Sequence, residues 1–327
     1  MFGMRYLFLL MLLLGCSFIR AQDISQTLVW PQPLPDDSIK EHFVYGLAVT
    51  KQGTILSFAE ARLILGDASP HHIVMKRSLD NGANWEASQI IIKSENGSCY
   101  ANPTPIVDSL TGAIYLFFAR NYDNDSSDVF YITSKDDGLH WSDPIEVTPL
   151  FKNDPYQRNF HLPGPGHGIA LSNGRLLLQV WHRHSIKISG SSRAYGVSTI
   201  YSDDHGKTWL AGNYARQTDS LQGNESRLLE ISNGDVIMNA RPGNSSKPQK
   251  DFYQLVKTMA KPGEHFMKAL WKLFHQWIWA LIRFLLTRKY IFLQVSHLAP
   301  AGVILYFLSV IMRVKPGKSP GLFVKEL

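Results

Sequence analysis

Ser202-Asp203-Asp204-His205-Gly206-Lys207-Thr208-Trp209 is the third copy of one pattern, after Ser78-Leu79-Asp80-Asn81-Gly82-Ala83-Asn84-Trp85 and Ser134-Lys135-Asp136-Asp137-Gly138-Leu139-His140-Trp141. Each copy reads Ser-x-Asp-x-Gly-x-x-Trp. The residue types describe a tight turn. Asp80, Asp136 and Asp204 can accept from neighbouring backbone N–H groups, Gly82, Gly138 and Gly206 supply a positive φ, and Trp85, Trp141 and Trp209 give each hairpin an apolar plug. The copies recur after 56 residues (Asp80 to Asp136) and 68 residues (Asp136 to Asp204), with alternating apolar runs between them. Self-similarity at this period predicts repeated antiparallel sheets arranged radially, a β-propeller.

The pattern resembles the Asp-box of the sialidase (neuraminidase) superfamily, whose members resemble one another as six-bladed propellers. The boxes therefore predict an all-β, six-bladed propeller of sialidase type, with the box residues holding turns at the rim rather than touching substrate. Up to about residue 245 strand formers and turn dipeptides dominate, without sustained helical periodicity. Six blades of roughly 50 residues each plus a leader would nearly exhaust the 327 residues.

The resemblance extends to candidate site residues. Gly53-Thr54-Ile55-Leu56-Ser57-Phe58-Ala59-Glu60-Ala61-Arg62 keeps the family's Phe-Ala-Glu-x-Arg, and Asp67 follows at the spacing of its acid/base. A carboxyl group there is what glycoside cleavage needs, because the leaving oxygen must be protonated as the bond breaks. The family's first carboxylate-clamping arginine falls on Phe43-Val44-Tyr45 and is absent. Further on, Asn224-Glu225-Ser226 and Val236-Ile237-Met238-Asn239-Ala240-Arg241 match the Glu that polarises a tyrosine nucleophile and the second clamp arginine. Asp67 and Glu225 are thus expected to be catalytic, and Arg62, Arg241 and His167 to bind substrate. His167 stands in the Gly/Pro-rich loop His161-Leu162-Pro163-Gly164-Pro165-Gly166-His167-Gly168. Trp181-His182-Arg183-His184 reads either as a sugar-stacking edge or as a core Trp followed by exposed His and Arg, and Asp108 as a turn residue. The adjacent His71 and His72, without a spaced third ligand, read as surface rather than metal-binding. No metal or cofactor is implied.

The balance of 33 Lys+Arg against 27 Asp+Glu gives +6 without a clustered basic patch. That suits an anionic substrate, a sialylated glycan or another carbohydrate, and argues against nucleic acid. Residues 1–21 read as an export signal: Arg5, the apolar run Tyr6 to Leu14, then small and polar residues to Ala21, too short for a stable membrane span. Leu13-Leu14-Gly15-Cys16 also resembles a lipoprotein box. With Cys16 removed, Cys99 has no internal disulfide partner.

The propeller is expected to occupy residues 22–250, about four blades. From about Asp251 the character changes, and Phe266 to Leu286 is rich in Trp, Leu, Ile, Phe and Lys. If the codons from Phe252 onward are read two bases later, synonymous choices turn Leu255–Gly263 into Ser-Gln-Asp-Asn-Gly-Lys-Thr-Trp and Ser309–Gly317 into Ser-His-Asn-Glu-Gly-Glu-Thr-Trp. The two recovered boxes keep blade spacing, so residues 251–327 are expected to be a frameshifted tail and this copy to be inactive. Two other readings stay open: a different glycosidase on this fold, and a non-catalytic glycan-binding propeller.

Overall fold

The computed structural model describes residues 26–31, 38–185, 195–215 and 222–243 except 233, together with the backbone of short strands at 252–256, 292–295, 307–310 and 323–326. A short first strand, β1 (Gln26–Leu28), precedes the sheets. The first sheet is β2 (Glu41–Val49), β3 (Ile55–Arg62), β4 (His71–Ser78) and β5 (Gln89–Ile92), each antiparallel to the one before. The second repeats it with β6 (Cys99–Val107), β7 (Ile114–Tyr122), β8 (Ser126–Ser134) and β9 (Ile145–Glu146). A single parallel bridge, His71 to Cys99, joins the two.

The third sheet runs β10 (Phe160–Pro163), β12 (Leu176–Arg183), β13 (Gly196–Ser202) and β14 (Leu210–Ala211), with β11 (Ile169–Ala170) also paired to β12. In the fourth, β15 (Gly223–Glu230) and β16 (Val236–Pro242) are followed by β17 (Phe252–Val256), a strand from beyond residue 250. Three more strands of that stretch, β18 (Phe292–Val295), β19 (Phe307–Val310) and β20 (Phe323–Glu326), form a sheet closed by β1. The all-β repeat expected from the boxes is thus present. The signal and lipoprotein readings, and most of 251–327, lie outside the described residues.

Period-two alternation explains how the sheets stack. On β7, Leu116 and Phe118 turn toward Leu56, Phe58, Ile73 and Met75 of the first sheet. Tyr115 and Phe117 turn the other way, toward Leu176, Leu178, Val180 and Trp209 of the third. A strand buried on both faces needs apolar residues in succession, and Ile114 to Ala119 supplies them. Phe160, Trp181 and Val197 join Leu228, Met238 and Ala240 between the third and fourth sheets in the same way.

The boxes form the predicted turns. In the third copy Ser202 Oγ donates to Asp204 Oδ1 at 2.8 Å and accepts from the Gly206 N–H at 2.8 Å, while Asp204 accepts from the N–H of Thr208 at 2.9 Å and its hydroxyl at 2.7 Å. Those bonds hold the Asp204 carboxyl down at about 2. Ser78/Asp80/Asn84 and Ser134/Asp136/His140 repeat the arrangement. Each later box also reaches the preceding sheet. Asp137 accepts from Thr54 at 2.5 Å and from Arg77 at 3.2 Å. The His205 carbonyl accepts from Tyr115 at 2.5 Å, and its ring meets Asp108 at 2.9 Å. Asp108, as expected, caps its own turn through Leu110 and Thr111.

Candidate active site

Strand register separates the two ends of each sheet. Ile55 pairs with Ser78, Ile114 with Ser134 and Leu176 with Ser202, which puts all three boxes at one end. At the other end Arg62 pairs with His71, Tyr122 with Ser126 and His182 with Gly196. Inner strands are bulged near this second end: β2 between Phe43 and Gly46, β6 between Ala101 and Thr104, β15 between Gly223 and Ser226. Bulges break the ladder and re-aim side chains. Val44 sits there at φ 44. A β-branched residue in that region costs about 1–3 kcal/mol, the kind of strain that gathers at functional sites.

Asp67 lies at the bulged end, in the loop after β3. Its side chain is 78% exposed, and Oδ1 is 3.1 Å from an Arg62 terminal nitrogen. The backbone is fixed separately, since the Asp67 carbonyl accepts from Asn121 Nδ2 at 2.9 Å, across to the second sheet. A carboxyl group open to solvent on an anchored loop can meet a leaving oxygen without a loop movement.

Arg62 is buried and fully engaged. Glu60 takes Nε at 3.2 Å and a terminal nitrogen at 2.9 Å, Asp67 takes another contact, and the Phe43 ring lies 4.5 Å from the guanidinium carbon. Phe43 therefore fills the bulge with an aromatic face beneath a cation instead of a charge. Glu60, missed by the sequence reading, is the hub. It accepts from the Asn102 N–H at 2.9 Å and approaches His71 Nδ1 at 3.5 Å, and burial raises its pKa to about 7 against the pull of Arg62.

The surface reading of His71 and His72 is overturned. Both are buried, because β4 is covered on both faces and has no solvent side on which to alternate. His71 holds the Gly66 carbonyl at 2.8 Å beneath the Asp67 loop and contacts Cys99 Sγ at 3.5 Å; burial lowers its pKa to about 4 and raises the Cys99 thiol to about 12. His72 accepts from the Ser94 N–H at 2.8 Å. Trp181 is in the core, as one of the two readings had it, but the exposure expected of His182 and Arg183 is overturned: both are buried, because β12 is covered on both faces.

Across the bulged end, Glu225 stands in the β15 bulge with one oxygen 3.2 Å from Arg241 Nε, both side chains open to solvent. The two residues singled out on separate strands are thus brought together as a pair, and Asp67 and Arg62 as another. Among the described residues no tyrosine hydroxyl is hydrogen-bonded to Glu225. His167 is half-buried; its Nδ1 bonds the Gly168 carbonyl at 2.9 Å, and burial followed by the Arg227 charge lowers it to about 4. One buried trio could offer metal donors: Asp154, His161 and His182, within 4.8 Å of one another. Each donor already has a protein partner, His161 with His182 at 2.8 Å, His182 with Ser198 at 2.7 Å, and Asp154 with Arg158 at 2.6 Å.

Comparison with known proteins agrees with this architecture. A family model described as a BNR repeat-like domain matches residues 53–263. The sialidase of Bacteroides fragilis is 26% identical over 63% of the chain, that of Micromonospora viridifaciens 28% over 60%, and mouse sialidase-4 29% over 60%. The matched part spans 40%, 32% and 44% of their own lengths. Among solved structures, Hadza microbial sialidase Hz136 covers 71% of the chain at TM-score 0.59 and 24% identity, with 47% of its own chain matched. Trypanosoma rangeli sialidase covers 94% at TM-score 0.63 and 15% identity, with 60% of its own chain matched. At these identities the two structures establish the propeller fold.

Proposed function

The chain belongs to the BNR repeat-like domain family of the sialidase superfamily, and from that premise we propose that it is an exo-sialidase-type glycoside hydrolase acting on terminal sialic acids of glycans. One observation carries the reading: Asp67 with Arg62, and Glu225 with Arg241, stand at the bulged end of the sheets, away from the turn-forming boxes.

Asp67 protonates the leaving oxygen of the glycosidic bond. Arg62 keeps its carboxyl group in place and is itself held by Glu60. Arg241 presents paired donors to the substrate carboxylate, and Glu225 draws the proton from a phenolic nucleophile. The out-of-frame tail removes that nucleophile from this chain, which is therefore inactive and poorly folded as it stands. We hold residues 251–327 to be read out of frame and residues 1–21 to direct export. Phe43 in place of a clamp arginine favours a second reading, a glycosidase for a less anionic sugar. A panel of 3′-sialyllactose and neutral glycosides, offered to the frame-restored protein, separates the two. Cleavage confined to neutral glycosides excludes the first.

A further inference from the structure

The place of the Asp67 carboxyl group is set largely from outside its own sheet. With the side chain 78% exposed, the contact to Arg62 holds it only weakly, because water screens an ion pair so open on one side. The backbone must do the rest. Within the first sheet the loop is braced one residue earlier, where the Gly66 carbonyl accepts from Ser69 Oγ at 2.7 Å and from His71 Nε2 at 2.8 Å. The Asp67 carbonyl accepts instead from the second sheet, from Asn121 Nδ2 at 2.9 Å and from the Cys99 thiol, a weak donor, at 3.5 Å.

Asn121 is buried near the end of β7, and its carboxamide has one orientation. Oδ1 accepts from the Asn124 N–H at 2.8 Å, so the nitrogen is the atom that donates to Asn124 Oδ1 at 3.0 Å and to the Asp67 carbonyl. The hairpin that supplies Asn124 turns through Asp123 at φ 53 and Asn124 at φ 56, a conformation these two residue types tolerate. That hairpin is bound to the third sheet. One terminal nitrogen of Arg183 donates to the Asn124 carbonyl at 3.1 Å and to the His184 carbonyl at 2.8 Å, and Ser185 Oγ donates to Asp125 Oδ1. Ser127, just beyond the turn, donates to the His161 carbonyl at 2.7 Å. Arg183 is itself held, its guanidinium carbon 3.6 Å from the centre of the Phe160 ring. One line of bonds therefore runs from the third sheet through the β7–β8 turn to the carbonyl of Asp67 on the first.

We propose that Asn121 is a positioning residue for the acid: through it the β7–β8 turn, pinned by Arg183 and Ser185 of the third sheet, fixes the backbone of Asp67 and so the distance from its carboxyl group to the leaving oxygen. The proposal rests on the acid role given to Asp67 above. Proton transfer needs the two oxygens within about 2.6–3.2 Å, and a misplacement of about 1 Å costs about 100-fold in rate. The loss falls only on leaving groups that need the proton. A sugar alcohol needs it, whereas a nitrophenolate departs without it, and that difference separates positioning from a general loss of stability.

The test measures kcat and KM of the frame-restored protein on 3′-sialyllactose and on 4-nitrophenyl α-sialoside. Asn121→Ala removes the donor. Asn124→Gly, at a left-handed position that glycine accepts, removes only the side-chain oxygen that steadies it. Asp67→Asn shows what loss of the acid itself looks like. Asn121→Ala should lower kcat on sialyllactose about 10- to 100-fold and on the nitrophenyl substrate by less than about threefold, with Asn124→Gly following in the same direction by less and Asp67→Asn by more. A fall by the same factor on both substrates in Asn121→Ala, or on neither, overturns the proposal, and the sialidase reading stands as long as Asp67→Asn keeps the difference. Asp67→Asn without that difference removes the acid and overturns both. Cleavage confined to neutral glycosides overturns the sialidase reading alone, and the same comparison then decides the proposal on nitrophenyl and alkyl glycosides of that sugar. If Asn121→Ala does not fold, Asn124→Gly carries the comparison, and equal factors on both substrates there overturn the proposal.

Discussion

Gly206→Ala isolates the contribution of a box turn to the joint between neighbouring sheets. Gly206 has φ 76, and a β-carbon there would lie 2.5 Å from Tyr115 Cε1 and nearer still to Cζ and Oη. Tyr115 cannot swing aside freely. Its hydroxyl donates to the His205 carbonyl at 2.5 Å, and its ring is 5.4 Å from Trp209, edge to face. The left-handed φ costs an alanine about 1–2 kcal/mol. Forcing the aromatic ring out of a packed joint costs about 1–3 kcal/mol more, and losing its hydrogen bond about 1 kcal/mol. The total is about 3–6 kcal/mol. Gly174 is the control, with φ 88 and nothing within 4 Å of its would-be β-carbon, so Gly174→Ala should cost only the backbone component, about 1–2 kcal/mol. Urea unfolding of the two variants, with the slope checked for constancy, reads the difference directly. Equal midpoints would refute the argument that the third box braces the second sheet.

The remaining predictions concern pH, the hub and the gene. His42, His71, His161 and His167 have folded pKa values lowered to about 4, and that of His182 is held well below the usual histidine value, all chiefly through burial. A lowered pKa gives stability that is present above about 6.5 and lost as pH falls through the folded value; acid titration followed by circular dichroism should therefore show unfolding between those limits, and Gln at His71 or His161 should shallow the slope. Glu60 acts oppositely, because its pKa is raised to about 7: the stability of the wild type minus that of Glu60→Gln should fall as pH rises from about 4.5 to 7, as chemical denaturation at three pH values would read. Resequencing the interval encoding Arg241 to Phe252 should reveal a missing or extra base, whereas an intact frame through Leu327 shared by related genes would end the frameshift account.

What could be read from the sequence was local. A box needs only eight consecutive residues, so its turn, its glycine and its tryptophan were legible, and with three copies so was the repeated sheet. Asp67 and Arg62 were expected from one short motif and its spacing, and they lie close together in the chain, Arg62 as the last residue of β3 and Asp67 in the loop after it. Glu60 and Asn121 were not, because their work is done across the chain: Glu60 holds the Asn102 N–H 42 residues away, and Asn121 holds the Asp67 carbonyl 54 residues away. His71 and His72 misled for a related reason. Polar residues in a strand suggest a wet face, and β4 has none.

The central claim is tested most directly by the release of sialic acid from 3′-sialyllactose by the frame-restored protein and its Asp67→Asn variant. The account predicts release by the former and loss of turnover with binding retained in the latter, because the amide keeps the shape of the side chain and cannot give up a proton. Undiminished release by Asp67→Asn, or no release from sialyllactose alongside cleavage of a neutral glycoside, would contradict it.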